Sequence, residues 1–159
     1  MEQKTLSIWL KCVIAGVGFC GLAVYLLALP ACGGMLRDAY PEFSNRYWPW
    51  LIFLWVTGIP CYGALVLGWK IAGSIGRDRS FSEENARRLG WVSMLAAGDA
   101  AFFFAGNVLL LFLNMSHPGV LLASLGVVFA GAAVSVTAAA LSHLVKKAAI
   151  LQEQSDWTI

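Results

Sequence analysis

The charged side chains of this chain fall into clusters that are separated by four long apolar runs. Residues 12–36, 47–69 and 120–145 contain no Asp, Glu, Lys or Arg, and residues 89–113 contain only Asp99. Each run has the roughly 20 residues that a helix needs to cross the hydrocarbon core of a bilayer. None shows the polar and apolar alternation that is typical of a transmembrane β-strand. The sequence therefore predicts an all-α fold, an integral membrane four-helix bundle.

The polar segments between the runs set the predicted bounds of the helices. We expect the 159 residues to form a single transmembrane domain, with helices at about 6–36, 47–75, 83–114 and 119–154. Ser82 followed by two glutamates is typical of a helix start, because a hydroxyl can cap free amides and acids favour the positive end of the helix dipole. The third helix is therefore expected to begin before its apolar run, and the fourth to continue beyond its own. Both are expected to extend into the cytoplasm. Pro30 and Pro60 are expected to bend or kink the first two helices.

Lysine and arginine are distributed unequally between the two sides of the predicted bundle. With an even number of helices, both termini and the middle loop share one side, which carries nine of the 11 basic residues and leaves Arg37 and Arg46 on the other. Basic residues favour the cytoplasmic side. We therefore expect a multi-pass protein with both termini in the cytoplasm. A cleaved lipoprotein signal ending at "LALPACGG" is the weaker alternative, because Pro30 is a poor residue there.

Small residues recur at every fourth position on three of the predicted helices. Stripes of this kind let membrane helices approach closely. We expect them mainly inside the bundle, and a homo-oligomer interface is the open alternative. The stripes are Cys12, Gly16 and Cys20; Ala97, Ala101 and Ala105; and Gly131, Ser135 and Ala139.

No group of residues typical of catalysis occurs in the sequence, which has no HExxH motif, P-loop, nucleophile elbow or paired carboxylates. His117 and His143 are expected at opposite ends of the fourth helix, too far apart to share a metal or haem. The four cysteines form no CxxC pair and are interpreted as small packing residues. We therefore expect a non-enzymatic protein without metal or cofactor. The lipid bilayer is its expected partner, without direct contact to nucleic acid.

Asp99 is the one acidic residue within the apolar runs. It lies about 15 Å along the third helix from the start of its run, which is near the midplane of a bilayer. No lysine or arginine reaches that depth, so we expect a neutral carboxylic acid that faces inward and donates a hydrogen bond. A structural contact between helices and a site for a proton, ion or ligand are both open. The predicted intramembrane polar site comprises Asp99, Asn107, Thr57, Tyr62, Ser135 and Thr137, with Tyr25 as a further candidate partner.

Two segments on the predicted cytoplasmic side resemble those of a known family. "RSFSEENARRLGW" precedes the third helix and "KKAAILQEQSDWTI" ends the chain. They are similar to small four-helix bacterial membrane proteins of the domain of unknown function twenty-nine seventy-five. Gln154, Ser155 and Trp157 depart from the family's tail. The fitting residues are Phe81, Ser82, Glu84 and Asn85 in the first segment, and Leu151, Glu153, Asp156, Thr158 and Ile159 in the second.

This resemblance implies a location in the bacterial cytoplasmic (inner) membrane. Members are often encoded beside a Cro/C1-type helix-turn-helix protein, which implies a membrane partner that tethers or restrains that regulator. The leading interpretation is therefore a regulatory or sensory protein. The alternatives are a small-ligand or proton-binding protein or transporter that uses Asp99, and a structural protein that forms oligomers. The partner-docking candidates, which could instead cap and pack against each other, are Phe81, Ser82, Glu84, Asn85, Glu153, Asp156, Trp157, Thr158 and Ile159.

Overall fold

The computed structural model describes residues 3–156, which are helical almost throughout and contain no strand within that range. A five-residue π-helix joins the first two α-helices, and a 3₁₀ helix precedes the third. The elements are α1 (Gln3–Ala23), the π-helix Val24–Ala28, α2 (Leu29–Ala39), the 3₁₀ helix Pro41–Arg46, α3 (Tyr47–Ile75), α4 (Glu83–Phe112) and α5 (Pro118–Asp156).

Four helical segments are long and apolar enough to cross a membrane. The first span, Gln3–Ala39, combines α1, the π-helix and α2 in 37 residues. The second to fourth spans are Ser44–Ile75, Glu83–Phe112 and Pro118–Ser155, with 32, 30 and 38 residues. The predicted all-α fold with four spanning helices is therefore confirmed.

The spans pack in chain order, so the bundle is open on one side. The first span packs on α3, α3 on α4 and α4 on α5. Among the described residues, no two Cα atoms within 8 Å join the first span to α4 or α5, or α3 to α5. The first and fourth spans are therefore the edges of the assembly, and a cleft separates them.

The pairing of α4 with α5 is the most extensive contact, and small residues make it close. A Cβ atom on Gly131 would lie 3.1 Å from the Cβ atom of Ala100. Ser93 and Ser135 place their hydroxyl oxygens 3.2 Å apart, and Ser142 Oγ donates to the carbonyl oxygen of Ala86 at 2.6 Å. Hydroxyl groups of α5 thus bond to backbone carbonyls of α4, as is common between membrane helices.

The other two stripes of small residues do not lie between spans. The expectation that they lie inside the bundle is wrong for both, because their faces point away from the neighbouring spans. All six residues are exposed: Cys12, Gly16, Cys20, Ala97, Ala101 and Ala105.

Pro30 explains the π-helix in the first span. The backbone N–H of Leu29 donates to the carbonyl of Val24, five residues earlier. The next carbonyl, that of Tyr25, would need the N–H of Pro30, which proline lacks. Trp55 supplies the missing donor from α3, with its indole Nε1 2.9 Å from the Tyr25 oxygen. The expected irregularity at Pro30 therefore takes the form of a π-helix whose free carbonyl is satisfied by a neighbouring span.

Candidate functional site

A cleft of about 580 Å³ lies between the spans and is lined by residues of all four. It forms because the first and fourth spans do not close over α3 and α4. Most of its lining is apolar. The polar side chains that reach it are Asp99 from α4, Thr57, Cys61 and Tyr62 from α3, and Tyr25 from the π-helix.

Asp99 is only partly satisfied within this cleft. Its Oδ2 atom lies 3.5 Å from Cys61 Sγ, which donates its S–H. Its Oδ1 atom is buried and has no hydrogen-bond partner among the described residues. Within residues 3–156, the expected hydrogen bond from Asp99 to a hydroxyl or amide group is therefore absent. A thiol is a weak donor, so the carboxyl group keeps most of its hydrogen-bonding capacity unused.

The hydroxyl groups that line the cleft are committed to other partners. Thr57 is buried and donates to the carbonyl of Leu54 at 2.7 Å. Tyr62 Oη donates to the carbonyl of Gly18 at 2.7 Å, which links α3 to α1. Tyr25 Oη lies 3.3 Å from Thr57 Oγ1. These three side chains shape the polar part of the cleft without binding Asp99.

The remaining residues of the predicted polar site lie outside the cleft. Asn107 is buried and donates to the carbonyl of Phe103 on its own helix at 2.8 Å. Ser135 bonds to Ser93 within the α4–α5 contact. Thr137 is exposed. The structure therefore brings Thr57, Tyr62 and Asp99 together and leaves the other three apart.

Cys61 is the cleft residue that the sequence interpretation missed, because it was assigned to packing. The available signal was its position near the middle of the second apolar run, the same depth that the sequence predicted for Asp99. Cys61 and Asp99 do not belong to a larger metal-binding group. Residues 3–156 contain no cluster of three or more His, Cys, Asp or Glu side chains suited to a metal ion.

Asn85 holds the loop between α3 and α4. Its side chain is 1% exposed. Asn85 Nδ2 donates to the carbonyls of Arg79 and Ser80 at 3.0 and 3.2 Å. Asn85 Oδ1 accepts from Arg88 Nη1 at 3.1 Å. All the polar atoms of this amide group are therefore paired within the fold.

The neighbours of Asn85 complete the start of α4. Ser82 Oγ accepts from the backbone N–H of Asn85 at 3.2 Å, as the sequence predicts for an N-cap. Arg88 forms an ion pair with Glu84 and donates to the carbonyl of Lys70 at 3.4 Å, which ties α4 to the end of α3. Ser82 and Asn85 are thus paired with each other and with the end of the loop before α4.

The structure describes the side chains of two of the other docking candidates, Phe81 and Glu153, and not those of the rest. Phe81 is 57% exposed at the end of the loop. Glu153 is exposed near the end of α5. The side chain of Asp156 and the residues Trp157, Thr158 and Ile159 lie outside the described part of the chain.

Four helices of spanning length, one of which carries a carboxyl group near its centre, define a small multi-pass membrane protein. Residues 31–159 match the family described as Protein of unknown function (DUF2975), and the chain belongs to that family. It is similar to the uncharacterized membrane protein YoaS of Bacillus subtilis (strain 168), at 28% identity over 155 residues that cover 96% of this chain and 97% of that protein. No solved structure matches the chain. The predicted family is therefore confirmed.

Proposed function

We propose that this protein is a non-enzymatic membrane receptor that binds a small amine or ammonium compound in the Asp99 cleft. The observation that carries the proposal is the Oδ1 atom of Asp99, which is buried and has no hydrogen-bond partner within residues 3–156. A buried acceptor without a donor costs about 1–3 kcal/mol. A donor from outside the chain would remove that penalty.

The size and lining of the cleft support a ligand of this class. Its volume of about 580 Å³ falls within the range of small-molecule sites, roughly 300–1,000 Å³. An ammonium group could pair with the carboxyl group of Asp99 and lie against the faces of Tyr25 and Tyr62, since aromatic faces attract cations. The apolar walls would accept the hydrocarbon part of the ligand.

Protection of Cys61 from alkylation tests this proposal, because its sulfur lies 3.5 Å from Asp99 Oδ2. In a variant with Cys12, Cys20 and Cys32 replaced by alanine, N-ethylmaleimide labels Cys61 alone. We expect hexylamine to slow this labelling and hexanoate, which has the same chain length but the opposite charge, to leave it unchanged. The substitution Asp99→Asn should abolish the protection.

Cys20 provides the matched control thiol. It lies beside Gly18 and Gly21, which both contact Tyr62, but it does not line the cleft. A variant that keeps Cys20 as its only cysteine should react equally with and without hexylamine. Equal protection of both thiols, or protection that survives Asp99→Asn, would contradict a ligand site at Asp99.

We also propose, as the family resemblance implies, that the protein tethers or restrains a cytoplasmic Cro/C1-type helix-turn-helix regulator. Phe81 favours this role, because it presents an apolar side chain, 57% exposed, on a polar loop. Exposed aromatic residues often act as anchors in protein interfaces. The regulator, rather than this protein, would contact DNA.

Affinity purification of the intact protein tests the regulator proposal when helix-turn-helix proteins are identified in the eluate by mass spectrometry. Phe81→Ala and removal of residues 150–159 should each reduce their retention. Trp48→Ala is the matched control, since Trp48 is an exposed aromatic residue in the first turn of α3, at the opposite end of the spans from Phe81. An intact protein that retains no helix-turn-helix protein would refute this role.

We propose an inner-membrane location with both termini in the cytoplasm. The side of the bundle that carries the termini has the excess of basic residues, and such residues favour the cytoplasmic side. Cysteines introduced at Asn45 and Ser80 of a cysteine-free variant test it in intact cells. A membrane-impermeant maleimide should label Asn45→Cys and spare Ser80→Cys. The reverse labelling would invert the topology.

We propose, as a third role, that the protein is structural and forms a homo-oligomer. The exposed Ala97, Ala101 and Ala105 support it, because they form a face on which a second helix could approach closely. Ala101→Leu should then lower the mass of the oligomer in mild detergent. Val134→Leu, at an exposed position of α5, should leave that mass unchanged. A monomeric wild-type protein would exclude this assembly.

A further inference from the structure

A second groove of about 720 Å³ lies between α4 and α5, at the end of the spans where α4 begins. Three basic side chains line it: Arg87 from α4, and His143 and Lys146 from α5. Trp91 and Met94 continue the same face of α4 further along the span. The groove is therefore basic at one end and apolar at the other.

Helical spacing and small residues create this arrangement. Arg87, Trp91 and Met94 are four and three residues apart, so they share one face of α4. Between the helices, Ser142 Oγ donates to the carbonyl of Ala86 at 2.6 Å, and a Cβ atom on Gly90 would lie 3.5 Å from Ser142 Oγ. This tight contact forms the floor of the groove and leaves the longer side chains along its sides.

In the part of the chain that the structure describes, no carboxylate forms an ion pair with the basic side chains of the groove. The ion pairs among the described residues are Arg37 with Asp38 and Arg88 with Glu84. Glu83 also lines the groove but forms no ion pair with Arg87 or Lys146. Two full positive charges and an imidazole thus surround an open space, an arrangement that attracts an anion.

The apolar part of the groove distinguishes a lipid from a free anion. Trp91 is 52% exposed and Met94 is 64% exposed, one and two turns further into the span from Arg87. Tryptophan favours the level of the headgroups in a membrane. A free phosphate would use only the basic end, whereas a phospholipid would cover both parts.

We propose that this groove binds an anionic phospholipid, with its phosphate group between Arg87 and Lys146 and an acyl chain along Trp91 and Met94. Basic pockets between membrane helices are suited to such headgroups. The site is separate from the Asp99 cleft, with which it shares no lining residue. The inference therefore does not depend on the receptor proposal.

Native mass spectrometry of the full-length protein tests the site. The protein is mixed with phosphatidylglycerol and phosphatidylcholine of the same acyl chains, and the lipid that remains bound is counted. We expect the wild type to prefer phosphatidylglycerol by about tenfold, and Arg87→Gln/Lys146→Gln to lose that preference, since each basic side chain near a membrane surface adds to anionic lipid binding. Both side chains are exposed, so helix content should stay unchanged.

The variant Arg77→Gln/Lys147→Gln is the matched control, because it removes the same charge at the same end of the spans but outside the groove. It should keep the preference. An equal loss in this control would show general attraction to the basic surface and overturn the proposal. Wild-type protein without a preference would also overturn it, as would inorganic phosphate that displaces the lipid and remains bound itself.

Discussion

Asn85 and Asp99 lie on the same helix, yet the fold treats their polar atoms in opposite ways. Asn85 donates to two loop carbonyls and accepts from Arg88. Asp99 has one weak contact to Cys61, and its Oδ1 atom is buried without a hydrogen-bond partner in the described part of the chain. A buried polar group that is fully paired stabilises a particular structure, whereas an unpaired one is costly and suggests a functional role.

This difference changes how strongly the segment around Asn85 and the residue Asp99 each count as candidates for function. The segment around Asn85 carries the family resemblance, and two of its residues are occupied in building the start of α4. The carboxyl group of Asp99, by contrast, has only the Cys61 thiol as a partner among the described residues. The more fully a polar group is paired, the larger the loss in stability that its replacement should cause. Asp99 should therefore cause the smallest loss of the series.

Asn85→Ala should cause the largest loss. It removes three hydrogen bonds, each worth about 1 kcal/mol, so the free energy of unfolding should fall by about 3 kcal/mol. Titration with sodium dodecyl sulfate in mixed micelles, followed by tryptophan fluorescence, measures this change. Ser80→Ala is the control, because its hydroxyl makes an exposed hydrogen bond to Gln3. A similar loss of unfolding free energy in both variants would show that the bonds of Asn85 stabilise the fold no more than an exposed hydrogen bond does.

Trp55→Phe should cause the next largest loss. It leaves the Tyr25 carbonyl without a donor, which costs about 1–3 kcal/mol for a group away from water. Pro30→Ala would return a backbone N–H to the position that could serve this carbonyl. In the Pro30→Ala background, Trp55→Phe should therefore cost less, and a double-mutant cycle on unfolding free energies measures the difference. Additive effects would show that the indole does not compensate for Pro30.

Ser142→Ala should have a smaller effect. Its hydroxyl links α5 to the Ala86 carbonyl at 2.6 Å, and hydrogen bonds between membrane helices contribute about 0.6 kcal/mol on average. The same micelle titration should detect a loss of that order. Ser155→Ala, at an exposed position near the end of α5, should be neutral. A loss as large as that of Asn85→Ala would mean that pairing between spans outweighs pairing within the loop.

The spans could be predicted from sequence because they depend on local composition. Uncharged runs of spanning length and the Ser82 cap are readable without knowing any neighbour. The open packing order and the contact between Cys61 and Asp99 could not be predicted in the same way. In a membrane, lipid-facing and helix-facing positions are both apolar, so the pattern of Ala97, Ala101 and Ala105 does not say which surface they meet.

Asp99→Leu should leave stability almost unchanged, although it replaces a polar residue in the middle of α4. The substitution removes a carboxyl oxygen that has no partner among the described residues and one weak thiol contact, and Leu introduces no polar group that needs a partner. We expect the free energy of unfolding to stay within about 1 kcal/mol of wild type or to rise, as is common when a functional group is replaced by a packing residue. Hexylamine should no longer protect Cys61 in this variant. A loss near 3 kcal/mol would instead make Asp99 a structural residue like Asn85, because a residue that stabilises the fold must have partners that its removal leaves unsatisfied.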